Sequence, residues 1–147
     1  MSLIADPKIK ELYEQVRNDS AATNWLYLTY KEPSDVLEVR SSGTGGFQEF
    51  VKQLKLEECG YGYVRINIGN DELSTRCKFV LVSWVGSNAK IMRKAKISVQ
   101  LAEVKSVIKV YACEFAANTL NDLKEEDVLL KVKKAMGANY DRQSSQY

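Results

Sequence analysis

The chain has 147 residues, 45% hydrophobic and 27% charged, with 21 Lys and Arg against 19 Asp and Glu and no histidine. That size and balance fit one globular domain, and no apolar run approaches the ~20 residues that a spanning helix needs. The missing histidine removes Ser-His and Cys-His nucleophile activation, histidine-based zinc sites and the commonest general base near neutral pH.

Asp6-Pro7 reads as a helix start, with Asp at the N-cap and Pro at the first helical position. Ile9, Leu12, Tyr13 and Val16 recur at i, i+3, i+4 and i+7, so this helix buries one face and ends at Asn18-Asp19-Ser20. Residues 24–30 are short, aromatic and apolar, which predicts a strand. Pro33-Ser34-Asp35 is a turn, and residues 36–40 are its antiparallel partner. The Gly-rich segment 41–46 resembles a phosphate cradle only superficially, because Phe47 stands where the required Lys should begin. It is read as a flexible lead to a helix with Phe47, Phe50, Val51 and Leu54 on one face.

Residues 59–68 alternate Tyr61, Tyr63, Arg65 and Asn67 against Gly62, Val64, Ile66 and Ile68, which predicts a strand. Gly69-Asn70-Asp71 turns the chain into a central strand over 76–85, apolar on both faces. Trp25 and Trp84 are read as core residues. Val104, Val107, Ile108 and Tyr111 predict a helix over about 99–110, and residues 113–116 a last short strand. A final helix begins at Asn121 or Asp122. Its acids (Glu125, Glu126, Asp127) come early and its bases (Lys131, Lys133, Lys134) late, in agreement with the helix dipole, and Gly137 is its expected C-cap.

The expected fold class is α/β of the α+β type: a central mixed, mostly antiparallel sheet of four to five strands sandwiched by helices. The helix over 99–110 is the crossover that makes two strands parallel. The expected organisation is a single domain over residues 1–141 with a flexible polar tail at 142–147. The N-terminal residues carry no signal-peptide or lipidation pattern. Cys59, Cys77 and Cys113 are odd in number and far apart, which predicts reduced thiols, packed as small hydrophobes, in a cytoplasmic protein.

Charge is distributed unevenly. Residues 74–102 contain no acid but six bases: Arg76, Lys78, Lys90, Arg93, Lys94 and Lys96. They flank the apolar run 79–85, so the reading is a positive rim on a rigid support, suited to an acidic macromolecular surface. A solvated face is the bland alternative, and anionic lipid head groups are a second ligand class. A pI near 8.3 argues against nucleic acid, whose binders usually exceed pI ~9. The only carboxylate cluster, Glu125 to Asp127, is accounted for by the helix dipole, so no enzyme, metal site or cofactor is expected.

Several segments together resemble the actin-depolymerising-factor homology family: Thr23-Asn24-Trp25, Gly43-Thr44-Gly45-Gly46-Phe47, residues 76–86, Lys94-Ala95-Lys96 and Gly137-Ala138-Asn139-Tyr140-Asp141. The coactosin branch is the most similar and the drebrin-like branch comes next. The resemblance covers nearly the whole chain. It implies a non-enzymatic, cytoplasmic, monomeric protein that binds the sides of actin filaments, counteracts capping and lacks strong severing or depolymerising activity. The alternatives it leaves are a cofilin-like depolymerising protein that also binds monomers, or an anionic-lipid-binding module. Phosphoinositides are the implied competitor. The implied actin contacts are Arg76, Lys78, Arg93, Lys94, Lys96, Leu101 and Lys105, with Lys131, Lys133 and Lys134 secondary and residues 118–122 a further contact. At Leu101 this chain has an apolar residue where relatives often carry Lys.

Overall fold

The computed structural model describes residues 4, 6–67 and 77–145, with side chains through Ala135. Helix α1 (Pro7–Arg17) starts as the sequence dictates: the Asp6 carboxylate accepts from Lys8 N–H at 2.9 Å and Pro7 needs no partner. Strands β1 (Trp25–Tyr30) and β2 (Leu37–Gly43) form an antiparallel hairpin, with Arg40 as the extra residue of a bulge opposite Tyr27 and Leu28. The short helix α2 (Gly46–Val51) leads to β3 (Cys59–Asn67) and β4 (Cys77–Val85). Helix α3 (Ile91–Lys105) crosses over to β5 (Cys113–Ala117), and a 3-10 turn (Leu120–Leu123) precedes α4 (Glu125–Ser145).

One five-stranded sheet results, in the order β2-β1-β3-β4-β5. All pairings are antiparallel except β4 with β5, where α3 makes the crossover. The mixed sheet between helices agrees with the reading of the sequence. Alternation along each strand divides the core into two layers. Leu26, Leu28, Tyr61, Tyr63 and Leu81 meet α1 and α3, while Trp25, Tyr27, Val64, Val82 and Trp84 meet α2 and α4. Both tryptophans are core residues, each with its indole N–H satisfied: Trp25 by Glu49 and Trp84 by the Lys55 carbonyl, both at 2.8 Å. Each large side chain buried this fully contributes about 1.5–3 kcal/mol of transfer free energy.

Three local expectations are corrected. The segment 41–46 is not a loose lead. Ser41 to Gly43 extend β2, Glu49 accepts from Gly45 N–H at 3.0 Å, and Asn24 accepts from Gly46 N–H at 2.9 Å. Gly46 itself has φ +78°, a conformation that favours glycine. The long helix begins at Ile91, not near 99. Its first inward position is an arginine, which breaks the apolar period, while the stripe at Val107, Ile108 and Tyr111 belongs to the turn after it. The last helix starts at Glu125 after a Thr119–Asp122 capping box, and it passes through Gly137 without stopping. The expected turn at Gly69-Asn70-Asp71 lies outside the described residues.

Candidate functional site

Helix α3 is fixed to the sheet along one side by buried hydroxyls. Tyr61 donates to the Ile97 carbonyl and Tyr30 to Gln100 Oε1, both at 2.6 Å. Burial pushes the tyrosine pKa values up, since the phenolate would have to leave water. Ile97 and Val104 fill the inward positions. What remains outside is unusual for a monomer surface. Ile91, Met92 and Val99 are 81%, 71% and 76% exposed, and Ala95 and Ala102 are exposed between and beyond them. Met92, Ala95, Val99 and Ala102 fall at helical spacing, so they form a single outward apolar stripe.

The basic residues around this stripe behave differently from one another. Lys90 is exposed at the helix start. Lys94 is half-buried and donates to the Ser87 carbonyl at 2.6 Å. Lys96 pairs with Asp35 at 2.8 Å. Arg93, expected as an outward contact, is turned inward: its guanidinium is bound by Glu32 and Asp35, each at 2.9 Å. Burial opposes the charge on Arg93, but the hydrogen bonds it donates to the two carboxylates overcome this and raise its pKa. Arg93 holds the Glu32 carboxyl below its ordinary range, and Lys96, then Arg93, do the same for Asp35. Leu101, on α3 itself, is half-buried and packs against the core layer that α3 shares with α1.

Lys78 stands at the other end of β4. It lines a shallow groove of about 180 Å³ with Cys77, Phe79, Val110, Tyr111 and Ala112. Its side chain is half-buried and has no ion pair among the described residues. Two more cations converge on nearby β5. Lys105 pairs with the Glu114 carboxylate at 2.8 Å, and that hydrogen bond raises its pKa. Lys131 reaches the Glu114 carbonyl at 3.3 Å and lies 4.6 Å from the Phe115 ring centroid. Lys133 and Lys134 are exposed on α4. Asn118 and Thr119 hold the Asp122 carboxylate through their backbone N–H groups. Arg76 lies outside the described residues.

The cations that the sequence places at both ends of the central strand therefore form two patches. One surrounds the start of α3 and the other the start of β5, roughly 20 Å apart by the rise of β4. The apolar stripe of α3 runs between them. Sequence reasoning missed this stripe because it began the helix eight residues late. Had the helix been started at Ile91, the spacing of Met92, Ala95 and Val99 would have revealed it. Among the described residues no cluster could hold a metal ion, and Cys59, Cys77 and Cys113 are free thiols.

The sequence profile of the cofilin/tropomyosin-type actin-binding proteins matches residues 2–133. The chain belongs to this family. Coactosin of Dictyostelium discoideum is 36% identical over 141 residues, 95% of each chain. The crystal structure of coactosin from Entamoeba histolytica superposes with a TM-score of 0.83 at 27% identity, covering 91% of this chain and 96% of that one. Mouse coactosin, an actin filament binding protein, matches with a TM-score of 0.75 at 30% identity, covering 97% and 98%. The resemblance seen in the sequence thus holds at the level of family and of fold.

Proposed function

We propose that this protein binds the sides of actin filaments through the outward face of α3 and, at the far end of β4, through Lys78. The observation that carries the reading is the apolar stripe. Met92 and Val99 are more than two-thirds exposed on a helix that buried hydroxyls and the core hold rigid. An apolar centre with a cationic margin is the anatomy of a protein contact: the centre provides the desolvated anchor, and the charges steer towards an acidic partner. Two patches so far apart suit a broad surface better than a small ligand. Family membership and the filament binding of the mouse relative support the choice of actin.

The reading comprises a cytoplasmic monomer of one domain, without enzymatic activity and without strong severing or depolymerising activity, that opposes capping. Arg76, Lys94, Lys96 and Lys105 are auxiliary contacts, as are Lys131, Lys133 and Lys134. Lys96 and Lys105 must exchange their internal carboxylates for those of actin. Phosphoinositides compete through the exposed cations. Arg93 and Leu101 serve the fold, so their effect on binding is indirect.

Co-sedimentation with filaments tests this. The wild type is expected to pellet at low salt and less as salt rises. Val99→Ser and Lys78→Ala are each expected to weaken binding by about 1–2 kcal/mol, roughly five- to thirtyfold, with folding changed by under ~0.5 kcal/mol. Folded variants that pellet as well as the wild type would remove α3 and Lys78 from the interface.

A further inference from the structure

Arg93 is the one buried cation among the described residues, 8% exposed, and it is held on every side. Its Nε and Nη2 meet the two oxygens of Glu32 at 3.0 and 2.9 Å, its Nη1 meets Asp35 at 2.9 Å, and Nη2 also donates to the Ser34 carbonyl at 3.0 Å. The guanidinium carbon lies 3.8 Å from the centroid of the Tyr30 ring. A planar fork that grips one carboxylate at two points, a second carboxylate and a carbonyl, while stacked on a ring, fixes orientation as well as distance. Every one of these partners belongs to β1 or to the loop between β1 and β2. The first turn of α3 has no side-chain cap of its own. Its anchorage to the hairpin is this arginine.

From this geometry we infer that Arg93 is a positioning residue for the docking face. By locking the inward side of α3's first turns to the β1–β2 loop, it sets the rotation and tilt at which Met92, Ala95 and Val99 meet the partner. The inference rests on the reading that α3's outer face binds actin. The physical link is the rigidity of the helix: residues at helical spacing turn together, so a first turn that rolls or frays displaces the stripe while leaving its composition intact. A stripe on a loose helix must be ordered at the moment of binding, and that ordering weakens the contact.

The test compares wild type, Arg93→Lys, Arg93→Met and Glu32→Gln in filament co-sedimentation well below each variant's melting temperature. Each is repeated with Val99→Ser added. Arg93→Met is expected to weaken binding about tenfold and Arg93→Lys about threefold, since Lys keeps the charge but not the fork. The decisive readout is coupling. Val99→Ser should cost several-fold in the wild type and less than about twofold beside Arg93→Met, because a displaced stripe no longer uses Val99 fully. A role confined to stability would lower the melting temperature and leave the cost of Val99→Ser the same in both backgrounds; that result overturns the inference. Should Arg93→Met not fold, Glu32→Gln, at an exposed carboxylate, provides the test: a loss of about threefold with the same non-additivity supports it, and parity with wild type overturns it. If wild type fails to pellet, the actin reading itself is what falls. A pelleting wild type with additive variants rejects the positioning role alone.

Discussion

Replacing Arg65 by Met would remove the fastening of α1 and measure how much a single guanidinium holds. Arg65 donates to five backbone carbonyls: Nε to Val16 at 2.9 Å, Nη1 to Ala21 at 3.0 Å, and Nη2 to Gln15, Asn18 and Thr23 at 3.1, 2.6 and 3.0 Å. Three of these acceptors end α1 and two lie in the loop that follows, so one side chain from β3 closes the helix C-terminus and pins the chain on its way to β1. Hydrogen bonds from a charged donor are worth about 1.5–3 kcal/mol each, which puts the ceiling for five at ~15 kcal/mol. The acceptors sit close to the surface and water can replace part of the loss, so the expected cost is about 3–4 kcal/mol. For a domain of this size that lowers the melting midpoint by roughly 10 °C. Arg65→Lys, with three donors on a single nitrogen, should fall between. Thermal and urea unfolding followed by circular dichroism gives the number, and amide exchange shows whether α1 loosens first, as an 11-residue helix with little stability of its own would. A loss of less than about 1 kcal/mol for Arg65→Met would refute the idea that these bonds hold α1 in place.

Two further outcomes are expected. At Gly62 an added Cβ would lie 2.1 Å from the Phe50 ring, so Gly62→Ala should destabilise by about 1–3 kcal/mol and Phe50→Leu should relieve much of that; equal stability of Gly62→Ala and wild type in urea would contradict the packing. Acid should loosen the start of α3. Glu32 and Asp35 have depressed pKa values in the folded state, so the unfolded chain binds more protons there. Their stabilising contribution is complete above the ordinary carboxylate pKa of about 4 and is lost as pH falls through the lower folded values. Amide protection in α3's first turns, measured relative to intrinsic exchange, should fall selectively below about pH 4, and protection there that does not change with pH would count against the latch.

Much of the fold could be read from periodicity. The Asp6-Pro7 start, the i, i+3, i+4, i+7 stripe of α1 and the alternation of 59–67 all carry local signals that tertiary packing reinforced. The parallel pairing of β4 with β5 followed from the helix between them. The start of α3 was illegible because Arg93 occupies an inward position, satisfied by carboxylates sixty residues away in sequence. No local pattern reports such a pairing. For the same reason Arg93 read as an outward contact and Arg65 as an ordinary strand residue. The site was half legible. Charge density pointed to the region of the proposed docking face, but it could not separate cations already paired within the chain, such as Lys96 and Lys105, from Lys78, which has no ion pair among the described residues. The apolar stripe was hidden by the misplaced helix start.

The sheet's two outer strands bear on how the protein behaves at high concentration. β2 is bent by the Arg40 bulge and carries Glu38 and Arg40 along its length, while β5 has only five residues and Lys131 sits over one of its carbonyls. Bent, short or charged margins make poor templates for a further strand from a neighbouring molecule. A crowded solution during refolding should therefore yield dispersed molecules rather than fibrils, even though the strands between these margins are among the most apolar segments of the chain.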